Sequence, residues 1–441
     1  MGAVGIIGCL VAFVLVIILV YKNWSVLVAA LIGALVCILA NQMPVLQTIE
    51  GTYLPKMVGF ISGFFFIYLF GCIQAQIYSK SGAALSIAET IVGWFKIDQL
   101  SQNKKQILAM LIITLICTVL SYGGIIVTIV IILLYPIALT VLEKADIPKR
   151  FILGLLASGT FTFALTGPGT PQTTNVAAMN FLGTSSTAGL VAGIVGAIVE
   201  VVVMVAILNR MITKARAKGE HFAYHEKDEV YGKDTERPSF LLSLLPLVLV
   251  LFLFAVLHLK VEIALAASSV LSVLIFWRYL KKDGVLNVVN TGAVNSISPV
   301  FTVGVVIGFA GVVSSTDAFL GIVDGITKLP LPPVVLLIVC VAVTCALTGG
   351  STTGLLVCLP ILAPVFIQQM GIAPEVIHRV GSFAGTILDT LPYSGSILML
   401  LPICHMKLKE IYPAMFVTTV VSTLAGTIAV ALVMTLFPFL P

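Results

Sequence analysis

Apolar runs of about 20 residues, enough to cross the roughly 30 Å hydrocarbon core of a bilayer, recur along almost the whole chain. This pattern predicts roughly ten to twelve spans and an all-α polytopic membrane protein. The first run, 3–20, lacks a basic leader and a small-residue cleavage site, and a second apolar run follows directly after Tyr21-Lys22-Asn23-Trp24, so it reads as a retained helix. One stretch is plainly aqueous: 210–238 carries Lys214, Arg216, Lys218, Glu220, His221, His225, Asp228 and Arg237 among its polar residues, and it divides the chain into halves. Its basic leading edge, together with Lys22, Arg278, Lys281 and Lys282, predicts a cytoplasmic linker and an N-terminus outside.

Composition sharpens this picture. The 441 residues are 59% hydrophobic and 10% charged, with a mean hydropathy of +1.14, and a water-soluble core could not absorb that much apolar surface. A net charge of +5 is modest and calls for no nucleic-acid partner. The eight cysteines lie in apolar runs with no C-x-x-C and no histidine at metal spacing, so they read as small buried hydrophobes, and no metal or cofactor is expected.

A search for internal repeats changes the reading most. Val45-Leu46-Gln47 resembles Val285-Leu286-Asn287, and 81–89 can be laid on 316–324, pairing Glu89 with Asp324. Further along, Leu120-Ser121-Tyr122-Gly123-Gly124 matches Leu347-Thr348-Gly349-Gly350, Tyr135-Pro136-Ile137 matches Leu359-Pro360-Ile361, and Ile147-Pro148 matches Ala373-Pro374. The matches keep one order at offsets of about 224 to 240 positions, as expected of an ancient duplication. The expected organisation is N-terminal helices at 1–44, a first repeat at 45–209, the linker at 210–238, a helix pair at 239–284 and a second repeat at 285–441, the repeats being inverted.

Each half contains two interruptions that lipid could not shelter, because every backbone donor and acceptor at membrane depth needs a partner within the protein. The first is a small-residue cluster, Ser121-Tyr122-Gly123-Gly124 in one half and Thr348-Gly349-Gly350-Ser351-Thr352-Thr353 in the other, flanked by short arms (107–120 with 125–141; 333–347 with 355–367) that suggest re-entrant helical hairpins. The second is Thr166-Gly167-Pro168-Gly169-Thr170-Pro171-Gln172-Thr173-Thr174-Asn175, mirrored by Asp389-Thr390-Leu391-Pro392-Tyr393-Ser394-Gly395-Ser396, where proline and glycine unwind a spanning helix. Such breaks expose half-helix N-termini suited to a carboxylate, while loosened carbonyls and hydroxyls suit Na⁺ or a proton. The expected substrate-binding residues are therefore Ser121, Gly123, Gly124, Thr170, Gln172, Thr173, Thr174, Asn175, Gly350, Ser351, Thr352, Thr353, Ser394 and Ser396, with Asp389 for cation coupling; Asp389 can equally be read as a helix cap. The other acidic residues in apolar context are Glu89, Glu200, Asp317 and Asp324; Glu89 and Asp324 read as helix-end residues near the headgroups, and Glu200 as a packing group without an assigned role.

These stretches resemble the gluconate permease (GntP) family of bacterial symporters, within the ion-transporter superfamily. The resemblance rests on Ser81-Gly82-Ala83-Ala84, the TFALTGPGTPQTTN stretch at 162–175, Phe181-Leu182-Gly183-Thr184, the linker KARAKGEHF, the stretch 349–364 and LDTLPYSGSIL at 388–398. It implies H⁺- or Na⁺-coupled symport of a small organic anion, such as a hydroxy-carboxylate or sugar acid, across the bacterial inner membrane. It also implies scaffold and transport domains, a homodimer embedded in lipid, and an elevator-like movement. The gluconate-type pattern has histidine in both loops, and this chain departs from it, which favours a different monocarboxylate or hydroxy acid over gluconate itself. The competing function is a cation/proton antiporter of the same superfamily, which predicts ion flux without organic substrate. No protease or hydrolase motif is present, and the chain is not expected to be an enzyme.

Overall fold

The computed structural model describes residues 2–22, 24–95, 99–226, 228, 236–281, 283–319, 321, 329–392, 394, 397, 400–401 and 404–437. Among these residues there is no strand, seven helices are long and apolar enough to cross a membrane, or eight if one bent pair is counted as a span, and five shorter apolar helices accompany them. The protein is a multi-pass membrane protein.

Helices α1 (Gly2–Tyr21) and α2 (Val26–Ala40) form a pair. In the first half follow α3 (Val45–Ser81), α4 (Ala83–Trp94), α5 (Gln102–Tyr122), α6 (Val127–Ala145), α7 (Ile152–Ala157, a π-turn at Ser158–Thr162, then Phe163–Thr166), α8 (Thr173–Leu182) and α9 (Leu190–Ala217). After the linker come α10 (Phe240–Val256) and α11 (Val261–Leu280). The second half has α12 (Val285–Ser314), α13 (Pro333–Thr348), α14 (Ser351–Gln368), α15 (Pro374–Ile387) and α16 (Leu408–Leu436). Three pairs of helices, one from each half, pack directly on each other: α3 on α12, α7 on α15 and α9 on α16.

Two apolar clusters make most of the core. One is built mainly from the first half but takes in Ile397, Leu400 and Ile411, and the other is built mainly from the second half but takes in Ala178 of α8 and Ala192 of α9. The segment that follows each break therefore packs into the other half. This exchange ties the two breaks to a common centre.

The arms of the first hairpin differ from the sequence expectation. α5 starts at Gln102 and runs for 21 residues and α6 for 19, so each is long enough to cross by length alone. The polar turn Gln102-Asn103-Lys104-Lys105-Gln106 is rich in good helix formers and carries the helix beyond its apolar run. The second pair stays short: α13 has 16 residues, and α14, with 18, bends by 54° next to Pro360, which removes a helical donor. Helix α9 continues to Ala217, leaving a shorter irregular linker than the polar composition suggests.

That linker straps onto the ends of α6 and α7. Asp146 accepts from Arg216 and from His221 Nδ1 (2.9 Å), while Lys149 Nζ lies 2.7 Å from both oxygens of Asp228, which also accepts from the Tyr135 hydroxyl at 3.1 Å. Burial works to raise the pKa of each carboxyl, but the hydrogen bonds from His221 and Arg216 to Asp146, and from Lys149 to Asp228, outweigh it and hold both below the ordinary value. Glu89 forms an ion pair with Arg237, and Asp317 is exposed, so neither belongs to a buried site. Asp324 lies outside the described residues.

Candidate functional site

The first hairpin tip is sealed. Gly124 adopts φ 89°, and a Cβ there would lie 2.2 Å from the Leu265 side chain, so glycine alone fits; Gly123 presses equally closely on Leu247. The carbonyls freed by the turn, Ser121 O and Ile125 O, both accept from Gln172 Nε2 (2.7 and 3.0 Å). Gln172 of the first break thus closes the first hairpin, satisfying acceptors that lipid could not.

The second tip is open. Gly349 turns the chain at φ 70° with no neighbour inside 4 Å of an added Cβ, and Gly350 is only half-buried. Its carbonyls are met locally: Thr348 Oγ1 donates to Gly350 O (3.3 Å), and Ser394 of the second break donates to Gly349 O (3.3 Å).

Between α7 and α8 the chain is irregular from Gly167 to Gln172. Gly167 is required because the Tyr122 hydroxyl occupies the space a side chain would take. Thr174 Oγ1 donates to Leu165 O (2.9 Å) across the break. Asn175 is fully buried, and its amide is spent within the chain: Nδ2 donates to Thr170 O (2.8 Å) and Ser186 O (3.2 Å), and Oδ1 lies 2.8 Å from His378 Nε2. The other ring nitrogen of His378 lies 2.6 Å from Thr184 Oγ1. Next to it Arg379, also fully buried, donates to Thr166 O and Ala188 O (2.8 Å each) and to Ser186 O (3.4 Å). A cation from the second half therefore bolts down the unwound backbone of the first.

The two halves meet at Thr173 and Thr352, whose hydroxyls are 2.7 Å apart and half-buried. Each lies in the first turn of its helix, α8 and α14, whose N-cap residues, Gln172 and Gly350, supply no side-chain cap, while the Ser351 N–H at the start of α14 faces the Asp389 carboxyl. Two positive helix ends therefore come together at one point. Asp389, 4% exposed, lies beside Ser351 and Thr390, and its Oδ1 has no hydrogen-bond partner.

The residues expected from sequence thus fall into three groups. Thr173, Ser351, Thr352, Ser394, Asp389 and half-buried Gly350 gather around the paired helix ends, and Thr353 lies buried in the same turn of α14. Ser121, Gly123, Gly124 and Gln172 form the sealed tip, whereas Thr170, Thr174 and Asn175 are buried with their polar groups tied to the break's own backbone or to His378. Ser396 lies outside the described residues.

The sequence reading passed over His378 and Arg379. Four and five residues past Pro374, and close behind Glu375, they look like an interfacial helix start. The available signal was that they stand on the arm that leads into the second break, as 152–166 leads into the first.

A family model described as GntP family permease matches residues 4–439. The transporter YxjC of Bacillus subtilis (strain 168) is 28% identical over 461 aligned positions, covering 93% of this chain and 95% of that protein. Among solved structures, the crystal structure of the Alcanivorax borkumensis YdaH transporter, reported to have an unusual topology, is similar in fold, with a TM-score of 0.54 at 17% identity over 88% of this chain and 89% of that one.

Proposed function

Because the chain belongs to the GntP family of permeases, we propose that it carries out secondary active symport of a small organic anion, of the hydroxy-carboxylate or sugar-acid class, with H⁺ or Na⁺. The observation that carries this reading is the meeting of the α8 and α14 N-termini at Thr173 and Thr352, beside the unpartnered oxygen of Asp389. N–H groups of the two first turns donate to a carboxylate, and separation of the two threonine hydroxyls frees them to read a substrate hydroxyl. Arg379 adds a fixed positive charge behind the site, moderated by its three carbonyl partners.

A cation bound at Asp389 neutralises a charge that would repel the substrate anion, so each ligand strengthens the binding of the other. In this reading the repeats are inverted, the linker is cytoplasmic with the N-terminus outside, and the protein works in the inner membrane as a homodimer with an elevator-like movement of the site. The thermal midpoint of the purified protein, measured against a panel of carboxylates with and without Na⁺ and at two pH values, tests it: a hydroxy-carboxylate should stabilise the fold, more so with the coupling ion. If no carboxylate stabilises the protein and proteoliposomes exchange cations for protons without one, the antiporter reading takes its place.

A further inference from the structure

Two buried carboxylate oxygens among the described residues have no hydrogen-bond partner, Asp389 Oδ1 and Glu200 Oε1. Asp389 stands at the second break. Glu200, on α9 and fully buried, stands at the first: its Oε2 accepts from Thr166 Oγ1 at 3.3 Å, and Thr166 is the last residue of α7 before the chain unwinds. The carbonyl of the same threonine accepts from Arg379 at 2.8 Å. One residue thus bridges a buried carboxylate and a buried guanidinium.

The surroundings of Glu200 are specific. Gly426 of α16 makes room for it, since a Cβ there would lie 2.6 Å from Glu200 Cγ and 3.1 Å from Gly196 O, the carbonyl one turn back on α9. The titratable or charged groups near it are Arg379 of α15, through Thr166 of α7, and Tyr122 of α5, whose hydroxyl reaches Pro168 O in the same break; the buried residues of the α16 segment Ser422–Leu436 are all uncharged. A carboxylate kept only for packing would have its second oxygen satisfied or be replaced by an apolar group, because an incompletely partnered buried charge is costly. A metal ion would need several oxygen ligands, whereas a proton needs only the one free oxygen.

We infer that Glu200 is a second proton-binding site, which sets the net charge at the first break through Thr166 and Arg379. This rests on the symport reading above. A proton taken from water adds to Oε1 and cancels the Glu200 charge. The Arg379 charge is then uncompensated and favours the substrate anion at the α8 N-terminus. Loss of the proton to water restores the balance and favours release.

The test compares the wild type with Glu200→Gln and Glu200→Asp in proteoliposomes. Gln mimics the protonated form, so counterflow exchange should stay within about threefold of wild type, while proton-driven accumulation falls at least about tenfold and the pH dependence of KM flattens. Asp should restore part of the accumulation. A Glu200→Gln variant with the wild-type proton-to-substrate ratio and pH profile would overturn the inference. If the wild type carries no carboxylate, the symport reading fails, and infrared spectroscopy during a pH titration still decides the site. A carboxyl band that grows on acidification in the wild type and is missing in Glu200→Gln supports it, and identical spectra overturn it.

Discussion

The two hairpin tips are counterparts in sequence yet opposite in condition. At 121–126 the turn is packed against Leu247 and Leu265, and its carbonyls are taken by Gln172; at 348–353 the turn is half-exposed, with space around Gly349 and an unsatisfied carboxylate oxygen nearby. The breaks differ in the same sense. In the first, Thr170, Thr174 and Asn175 hold the backbone together, and His378 and Arg379 bolt it from outside. In the second, Ser394 donates to Gly349 O and Asp389 keeps one carboxylate oxygen without a partner. The first break is thus held mainly by its own backbone and by side chains from the second half, with its unpartnered carboxylate oxygen set behind it on Glu200, whereas the second has its own, on Asp389, within the break itself.

The strongest way to break this comparison is Arg379→Met, which takes the guanidinium donor away from Thr166 O and Ala188 O, while Ser186 O keeps Gly169 N–H and the Asn175 amide. Unsatisfied buried groups cost about 1–3 kcal/mol each, so a loss of roughly 2 kcal/mol or more is expected, visible as a lower thermal midpoint and aggregation on size-exclusion chromatography. An equal midpoint would mean the first break is not held from outside.

Asn175→Ala and Thr352→Ala should separate support from binding. The former removes an amide bonded to Thr170 O, Ser186 O and His378 and should destabilise by about 1–3 kcal/mol. The latter should leave stability nearly unchanged and raise the transport KM roughly tenfold, since a lost hydrogen bond to a charged ligand costs about 1.5–3 kcal/mol. Reversal of the two phenotypes would put the substrate at the first break.

Glycine substitution sharpens the comparison further. Gly349→Ala should cost only the backbone strain of its left-handed φ, about 1 kcal/mol, while Gly124→Ala adds a collision with Leu265 and should cost about twice that or more. Chemical denaturation in mild detergent measures both.

The smallest effect concerns the linker strap. The pKa of Asp228 is lowered in the folded protein, so its contribution to stability is complete above the unfolded carboxyl pKa and is lost as pH falls through the folded one. Acidification across that window should lower the wild-type midpoint, and Asp228→Asn should abolish that part of the pH dependence.

Much of the fold was legible because its signals are local. Apolar run length reported the spans, and Gly, Pro and clustered hydroxyls at 121–124, 166–175, 348–354 and 389–396 reported where helices could not continue. What the arms would do was less legible, since polar helix formers at 102–106 extend α5 past the point where hydropathy stops speaking.

The sequence by itself determined that the chain spans a membrane and where its helices are interrupted, because these depend on composition and spacing along one strand of chain. Only the tertiary structure decided which break residues are spent and which are free. That outcome depends on partners far along the chain: Arg379 and His378 on the first break and Thr352 against Thr173, some 200 residues apart, and Glu200 against Thr166, 34 residues apart, where no local motif marks it. A hydroxyl or amide in the sequence shows only that a hydrogen bond is available, and whether a backbone carbonyl has already taken it is settled by packing in three dimensions.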